Sequence, residues 1–179
     1  MTGCKVYLFN HSVSDIVLGA GADHTIQVFD MNQGCMATQI PDAHCRAVHH
    51  LTQNKSDLFT TQPGSYALES YNLFLSSAVT DGLKLWDLRT ARCVRHYGSH
   101  VNRYHHCTAV LLPCGRFIAT GSEDHIVSLL YIYDTRSSNF LHKLPRHSET
   151  VLNVAFNPAN PEYCCCRHVV KMGVCLCFV

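Results

Sequence analysis

The sequence predicts an all-β chain built from repeated units of short antiparallel strands. Three observations carry this. The dipeptides Phe29-Asp30, Trp86-Asp87 and Tyr133-Asp134 recur in one context, each followed 14 or 15 residues later by a histidine, His44, His100 and His147 respectively. Short runs of strand formers alternate with tight-turn signals along most of the chain. No window keeps a 3.6-residue apolar period over ten or more residues, which removes the case for helices.

The middle unit is the clearest. Leu73-Phe74-Leu75-Ser76-Ser77-Ala78 is an apolar run, Thr80-Asp81-Gly82 a turn, and Leu83-Lys84-Leu85-Trp86 an alternating strand. Leu88-Arg89-Thr90-Ala91 turns again, Cys93 to Tyr97 alternates, and Arg46 to Leu51 upstream supplies a first strand. The unit before it offers Ile16 to Ala20, Thr25 to Asp30 and Cys35 to Ile40. The unit after it offers Cys107 to Leu111, Arg116 to Thr120, Tyr131 to Tyr133 and Phe140 to Leu144. A fourth begins at His147 with the strand Val151 to Phe156, and nothing after Pro161 continues the pattern. The units run over about 15–43, 44–99, 100–146 and, partially, 147–161, with an N-terminal segment 1–14 and a divergent tail 162–179.

Two insertions interrupt the regularity. Residues 57–70 read as an exposed loop. About three residues between Asp124 and Tyr133 are surplus to the spacing of the other units, and should bulge or lengthen a strand pair. An aromatic-Asp closing one unit and a His opening the next is the mark of a β-propeller repeat. Closed propellers use about four to eight blades, so three four-stranded blades plus one strand predict an open array rather than a closed ring.

Bulk composition narrows the function classes. With 47% apolar and 15% charged residues the chain can build cores. Lys plus Arg numbers 14 against 13 for Asp plus Glu, which gives no electrostatic case for nucleic acid or an anionic membrane. No apolar run reaches the 18 or so residues of a membrane-spanning helix. The start has one lysine and four apolar residues before Asn10, too short for the core of a signal peptide. An intracellular site is therefore expected, cytoplasmic with the nucleus also open. Eleven cysteines, an odd number, argue against a secreted disulfide framework.

The chain resembles the WD-repeat family over roughly residues 15–160, through His44, Ser77, Asp81, Trp86 and Asp87. The resemblance implies four-stranded blades, no intrinsic catalysis, no cofactor and no metal. It implies protein partners bound through a propeller face or loops, with neither a nucleic acid, a membrane nor a small molecule as ligand. It also implies a buried hydrogen-bonded set in each unit: His44, Ser77, Asp81 and Trp86 in the middle one, and a weaker set of His100, Thr120, Asp124 and Tyr133 in the next. The first unit has Gly19 and Phe29 at those places, so no complete set is expected there.

Two other readings of these residue types compete with a scaffold. A His-Ser-Asp hydrolase lacks the strained nucleophile turn G-x-S-x-G, and the repeat accounts for the same residues twice. The tail holds Cys164, Cys165, Cys166, His168, Cys175 and Cys177, enough ligands for a metal-binding or redox-responsive module but without standard spacing. The same tail, lacking turn and aromatic signals, is expected to be poorly ordered and to mark an alternative C-terminus, which leaves open a truncated isoform with no independent function.

Overall fold

Every regular element among the described residues is a strand. The computed structural model describes residues 9–11, 15–53, 72–112, 115–123, 128–147, 150–156, 163–168 and 175–178. The first sheet is β1 (Phe9–His11), β2 (Ile16–Ala20), β3 (Ile26–Asp30) and β4 (Cys35–Ile40), and the second is β5 (Val48–Gln53), β6 (Leu73–Ala78), β7 (Gly82–Asp87) and β8 (Arg92–Tyr97). The third is β9 (Ala109–Leu111), β10 (Phe117–Gly121), β11 (Ser128–Asp134) and β12 (Phe140–His147). The fourth is β13 (Val151–Phe156), β14 (Tyr163–His168) and β15 (Cys175–Phe178). Within each sheet the strands lie side by side in chain order, all antiparallel, and the sheets form an open array.

Local chemistry fixes each hairpin. After the third strand of the first three sheets, the Asp of the aromatic-Asp pair caps the turn. The Asp30 carboxylate accepts from the Asn32 N–H at 2.9 Å, Asp87 from Arg89 at 2.9 Å and Asp134 from Arg136 at 3.0 Å. This Asx-turn geometry explains why the pair recurs. Gly82 opens β7 at φ 74°, where a Cβ would meet the Tyr97 carbonyl oxygen at 2.5 Å. Each of these sheets also bulges at its aromatic residue. Register shifts fall at Val28/Phe29, Leu85/Trp86 and Ile132/Tyr133, with the extra residue in the outer strand.

Packing between sheets repeats one scheme. Leu18, Ala20, Ile26 and Val28 of the first sheet pack on Phe74 and Trp86 of the second. Leu75, Leu83, Leu85 and Tyr97, on the second sheet's other face, pack on Ile118 and Tyr133 of the third. Ala119 and Leu130 then pack on Val151 and Val154. The second and third sheets thus each turn a front face, bearing the aromatic of the aromatic-Asp pair, toward the sheet before it. Burying such side chains contributes roughly 1.5–3 kcal/mol each. Gly121 is needed where the third and fourth sheets meet, because a Cβ there would overlap the Val151 carbonyl.

Three sequence expectations need correction. The fourth sheet has three strands rather than one, and β14 and β15 fall inside the tail. Backbone pairing explains this: the edge of β13 has donors and acceptors to satisfy, and an antiparallel ladder asks little of composition. β1 lies within residues 1–14, so the first unit begins before residue 15. His147 ends β12, paired with Ser128, instead of opening the next unit. The surplus before Tyr133 coincides with a lengthened pair, seven residues in β11 and eight in β12, with an added register shift at Ser128/Leu129. The 57–70 insertion and Asp124 lie outside the described residues.

Candidate functional site

The strongest polar constellation lies on the front face of the second sheet. The β4–β5 loop delivers His44, fully buried in its side chain. Its Nδ1 lies 2.7 Å from Asp81 Oδ2 and its Nε2 lies 2.6 Å from Ser76 Oγ. The Trp86 indole N–H donates to the same Ser76 oxygen at 2.8 Å. Asp81 Oδ2 also accepts from Lys84 Nζ at 2.9 Å and from the Cys45 N–H at 3.1 Å.

The partners assign every proton. A carboxylate only accepts, so His44 Nδ1–H donates to Asp81 and Nε2 is an acceptor. Ser76 therefore accepts from Trp86 and donates to His44. Burial and the Lys84 charge push His44 down to about 4, against the pull of Asp81, so the ring is neutral at pH 7. Burial acts to raise Asp81, but the Lys84 hydrogen bond, the Cys45 N–H and the Lys84 charge hold it below its usual range.

The sequence places Ser77 in this set, and the structure corrects it to Ser76. Ser77 turns to the opposite face, where its hydroxyl donates to the Cys107 carbonyl at 3.2 Å and meets His49 Nε2 at 3.0 Å. Strand alternation is the reason. Phe74 pairs with Trp86 and Ser76 with Lys84, so 74, 76, 84 and 86 share a face, whereas Ser77 pairs with Leu83 on the other. A signal for this was present: ten residues separate Gly19 from Phe29 and Ser76 from Trp86, but nine separate Ser77 from Trp86. Lys84, which completes the set, was missed because a strand lysine reads as solvated.

In the third sheet His100 Nδ1 meets the Tyr133 hydroxyl at 3.1 Å, so those two come together as expected. Thr120 occupies the place of Ser76, but its hydroxyl donates to the Thr108 carbonyl at 3.2 Å. In the first sheet Gly19 and Phe29 stand at the places of Ser76 and Trp86, paired with Gln27 and Val17.

Asp81, His44 and Ser76 are joined in the order of a hydrolytic triad. The arrangement does not present a nucleophile, because Ser76 is 0% exposed and its lone pair is held by the Trp86 indole. An attacking hydroxyl needs substrate within reach and an oxyanion site beside it. What the arrangement does is fix a loop and a sheet together.

A second constellation was not foreseen. The β8–β9 loop wraps the buried carboxylate of Glu123. Arg103 donates its N–H at 3.0 Å, Tyr104 at 2.9 Å and His105 also bonds it. Successive amides around one anion form a concave nest. The loop so held leaves Tyr104 76% exposed. Behind it His49, pushed by burial down to about 4, stacks on His106 with centroids 4.6 Å apart. Among the described residues no group of three or more His, Cys, Asp or Glu is placed to hold a metal ion, and no helix is long and apolar enough to cross a membrane.

No protein-family model matches the chain. It is 40% identical over 75 residues to the U5 small nuclear ribonucleoprotein 40 kDa protein of Bos taurus, which covers 39% of this chain and 19% of that protein. It is 44% identical over 39 residues to DDB1- and CUL4-associated factor 4 of Bos taurus, covering 22% of this chain and 8% of that protein. It is 33% identical over 100 residues to a WD repeat-containing protein of Dictyostelium discoideum, covering 52% of this chain and 16% of that protein. The chain thus spans a fifth or less of the length of these relatives. A chain in the crystal structure of a mitotic checkpoint complex shares the fold, with a TM-score of 0.69 and 16% identity over 92% of this chain and 45% of that one.

Proposed function

We propose, on the support these relatives and the shared fold give to a WD-repeat family, that the chain is a non-enzymatic scaffold for protein partners. The observation that carries the reading is the Glu123-held loop. It displays one tyrosine, 76% exposed, on a backbone fixed by a buried carboxylate. Rigid aromatic side chains of this kind supply contact area at small entropic cost and dominate protein interfaces. The relatives support the reading by their names alone: one is a component of a ribonucleoprotein, one an associated factor, and the solved chain belongs to a complex.

The finer reading, similarity to the C-terminal part of WD repeat-containing protein twenty-seven, rests on the segments Leu83 to Thr90, 113–117 and 154–158. We place the chain inside the cell, in cytoplasm or nucleus. The test is site-specific photo-crosslinking in cells from position 104. A discrete protein adduct that disappears when Glu123→Ala releases the loop supports the proposal. The same adducts from position 104 and from exposed Arg92 in β8, or none from either, would refute it.

A further inference from the structure

The seam between the outer strands β8 and β12 carries two fixed cations and no carboxylate to match them. Arg95 pairs with Leu85 and Tyr97 with Leu83, so both leave the face of the second sheet that packs on the third. The Arg95 Nε–H donates to the Arg136 carbonyl at 3.0 Å, and its Nη1 donates to the Val94 carbonyl at 3.0 Å. Across the seam Lys143 pairs with Tyr131, which belongs to the core the two sheets share. The Lys143 Nζ lies 4.9 Å from the Tyr131 ring centroid and 4.7 Å from that of Phe140, itself 44% exposed. Arg95 and Lys143 are both exposed, yet carbonyl oxygens hold one and aromatic faces hold the other. Among the described residues the ion pairs belong to other cations, namely His44, Lys84, Arg89 and His105. The one acid of residues 128–147, Asp134, accepts from the Arg136 N–H in its own turn.

The pair is not a device of the repeat. At the seam between the first and second sheets the same positions are Thr38, paired with Val28, and His96, paired with Lys84. Neither is lysine or arginine. Nor do the cations serve to keep an edge strand from pairing, because β4 is just as exposed and has no charged side chain. We infer that the seam between β8 and β12 docks an extended acidic segment of a partner protein, with carboxylates on Arg95 and Lys143 and the segment's chain across Phe140. Charge complementarity names the occupant. A guanidinium offers five N–H groups in a fork that fits a planar carboxylate, and carbonyls take only two of those of Arg95. Its ordering is already complete before a partner arrives, which lowers the entropy lost on binding. A nucleic acid would need a longer stripe of cations along its backbone. The site extends the scaffold reading and stands apart from the Glu123-held loop.

The test is fluorescence anisotropy of the purified full chain with a labelled oligoglutamate peptide, beside an oligolysine peptide and a single-stranded oligonucleotide. The expected result is saturable binding of oligoglutamate that weakens as salt is added. Arg95→Gln and Lys143→Gln should each weaken it about tenfold, with circular dichroism unchanged because both side chains are exposed. Lys143→Gln decides the matter if Arg95→Gln disturbs the seam. Arg89→Gln should leave the affinity unchanged, since that guanidinium already lies 3.7 Å from Asp87. So should Arg103→Gln, in the Glu123-held loop. Crosslinking from position 104 does not depend on Arg95, so the two readings fail separately. No binding of oligoglutamate by the unaltered chain would overturn the inference. An equal loss from Arg89→Gln or Arg103→Gln, or an oligonucleotide bound as tightly as the peptide, would do the same.

Discussion

Ser76→Ala should be among the most damaging single-atom deletions in this chain, and far worse than Ser77→Ala next to it. The Ser76 hydroxyl serves two buried groups, the Trp86 indole N–H at 2.8 Å and His44 Nε2 at 2.6 Å. Deleting it strands both. A buried polar group left without a partner costs about 1–3 kcal/mol, so the pair sets the loss at roughly 2–6 kcal/mol. Ser77 also makes two hydrogen bonds, but its partners have each other: His49 Nε2 donates to the Cys107 carbonyl at 3.0 Å without it. Its loss should stay near about 1 kcal/mol. Urea unfolding separates the two, because a slope of about 1–3 kcal/mol per molar turns that difference into a midpoint shift on the order of 1 M. The one tryptophan of the chain is Trp86 itself, so its fluorescence reports on the site directly. A Ser77→Ala midpoint as low as that of Ser76→Ala would refute the assignment and return the network to the other face.

Three further outcomes follow from the packing and the charges. Burial pushes His44, His49 and His50 each down to about 4 from 6.5, so the unfolded chain binds protons that the folded one refuses. Stability should therefore be full above 6.5 and fall as pH drops toward 4, by up to about 1.4 kcal/mol per unit for each ring; a urea midpoint unchanged between about pH 7 and pH 5 would contradict this. Gly121→Ala drives a methyl into the Val151 carbonyl and should cost about 1–3 kcal/mol. Hydrogen exchange should show protection lost in β13 but kept in β6 and β7, whereas Gly98→Ala, which meets only the His96 ring, should be mild. Thr80 is β-branched at φ 67°, a strained conformation; Thr80→Gly should recover about 1 kcal/mol and raise Tm by about 2–4 °C, read by calorimetry. A lowered Tm would count against strain there.

The repeat was legible because its devices are local. An Asp that caps a turn must be the last strand residue, and an aromatic that fills the gap between sheets must precede it, so the two appear as a dipeptide. The choice between Ser76 and Ser77 was harder. Both are small, polar and adjacent, and only strand parity against Trp86 separates them. Constant spacing to the aromatic encodes that parity, whereas the apolar pattern around the two serines is too uniform to show it. Glu123 was invisible for another reason: its partners are backbone amides some twenty residues upstream, which leave no side-chain signature. The strands β14 and β15 escaped notice because β13 recruits them through main-chain bonds, and the repeat's markers are all side-chain markers.

The outer strands β4 and β8 are fastened at one end only. Along each, five residues in a row are exposed and the sixth, Ile40 or Tyr97, is buried. Tyr97 is anchored further by its hydroxyl, which donates to the Thr135 carbonyl of the neighbouring unit at 2.9 Å. The bulge beside the aromatic falls between the loose end and the anchor. Each outer strand should therefore open as a flap pinned at its trailing edge, from its turn up to the bulge, while the inner three strands stay shut. Amide exchange should rise from Tyr97 back toward Arg92, and from Ile40 back toward Cys35. An epitope or fluorophore placed near those leading ends would ride on the molecule without loading its core.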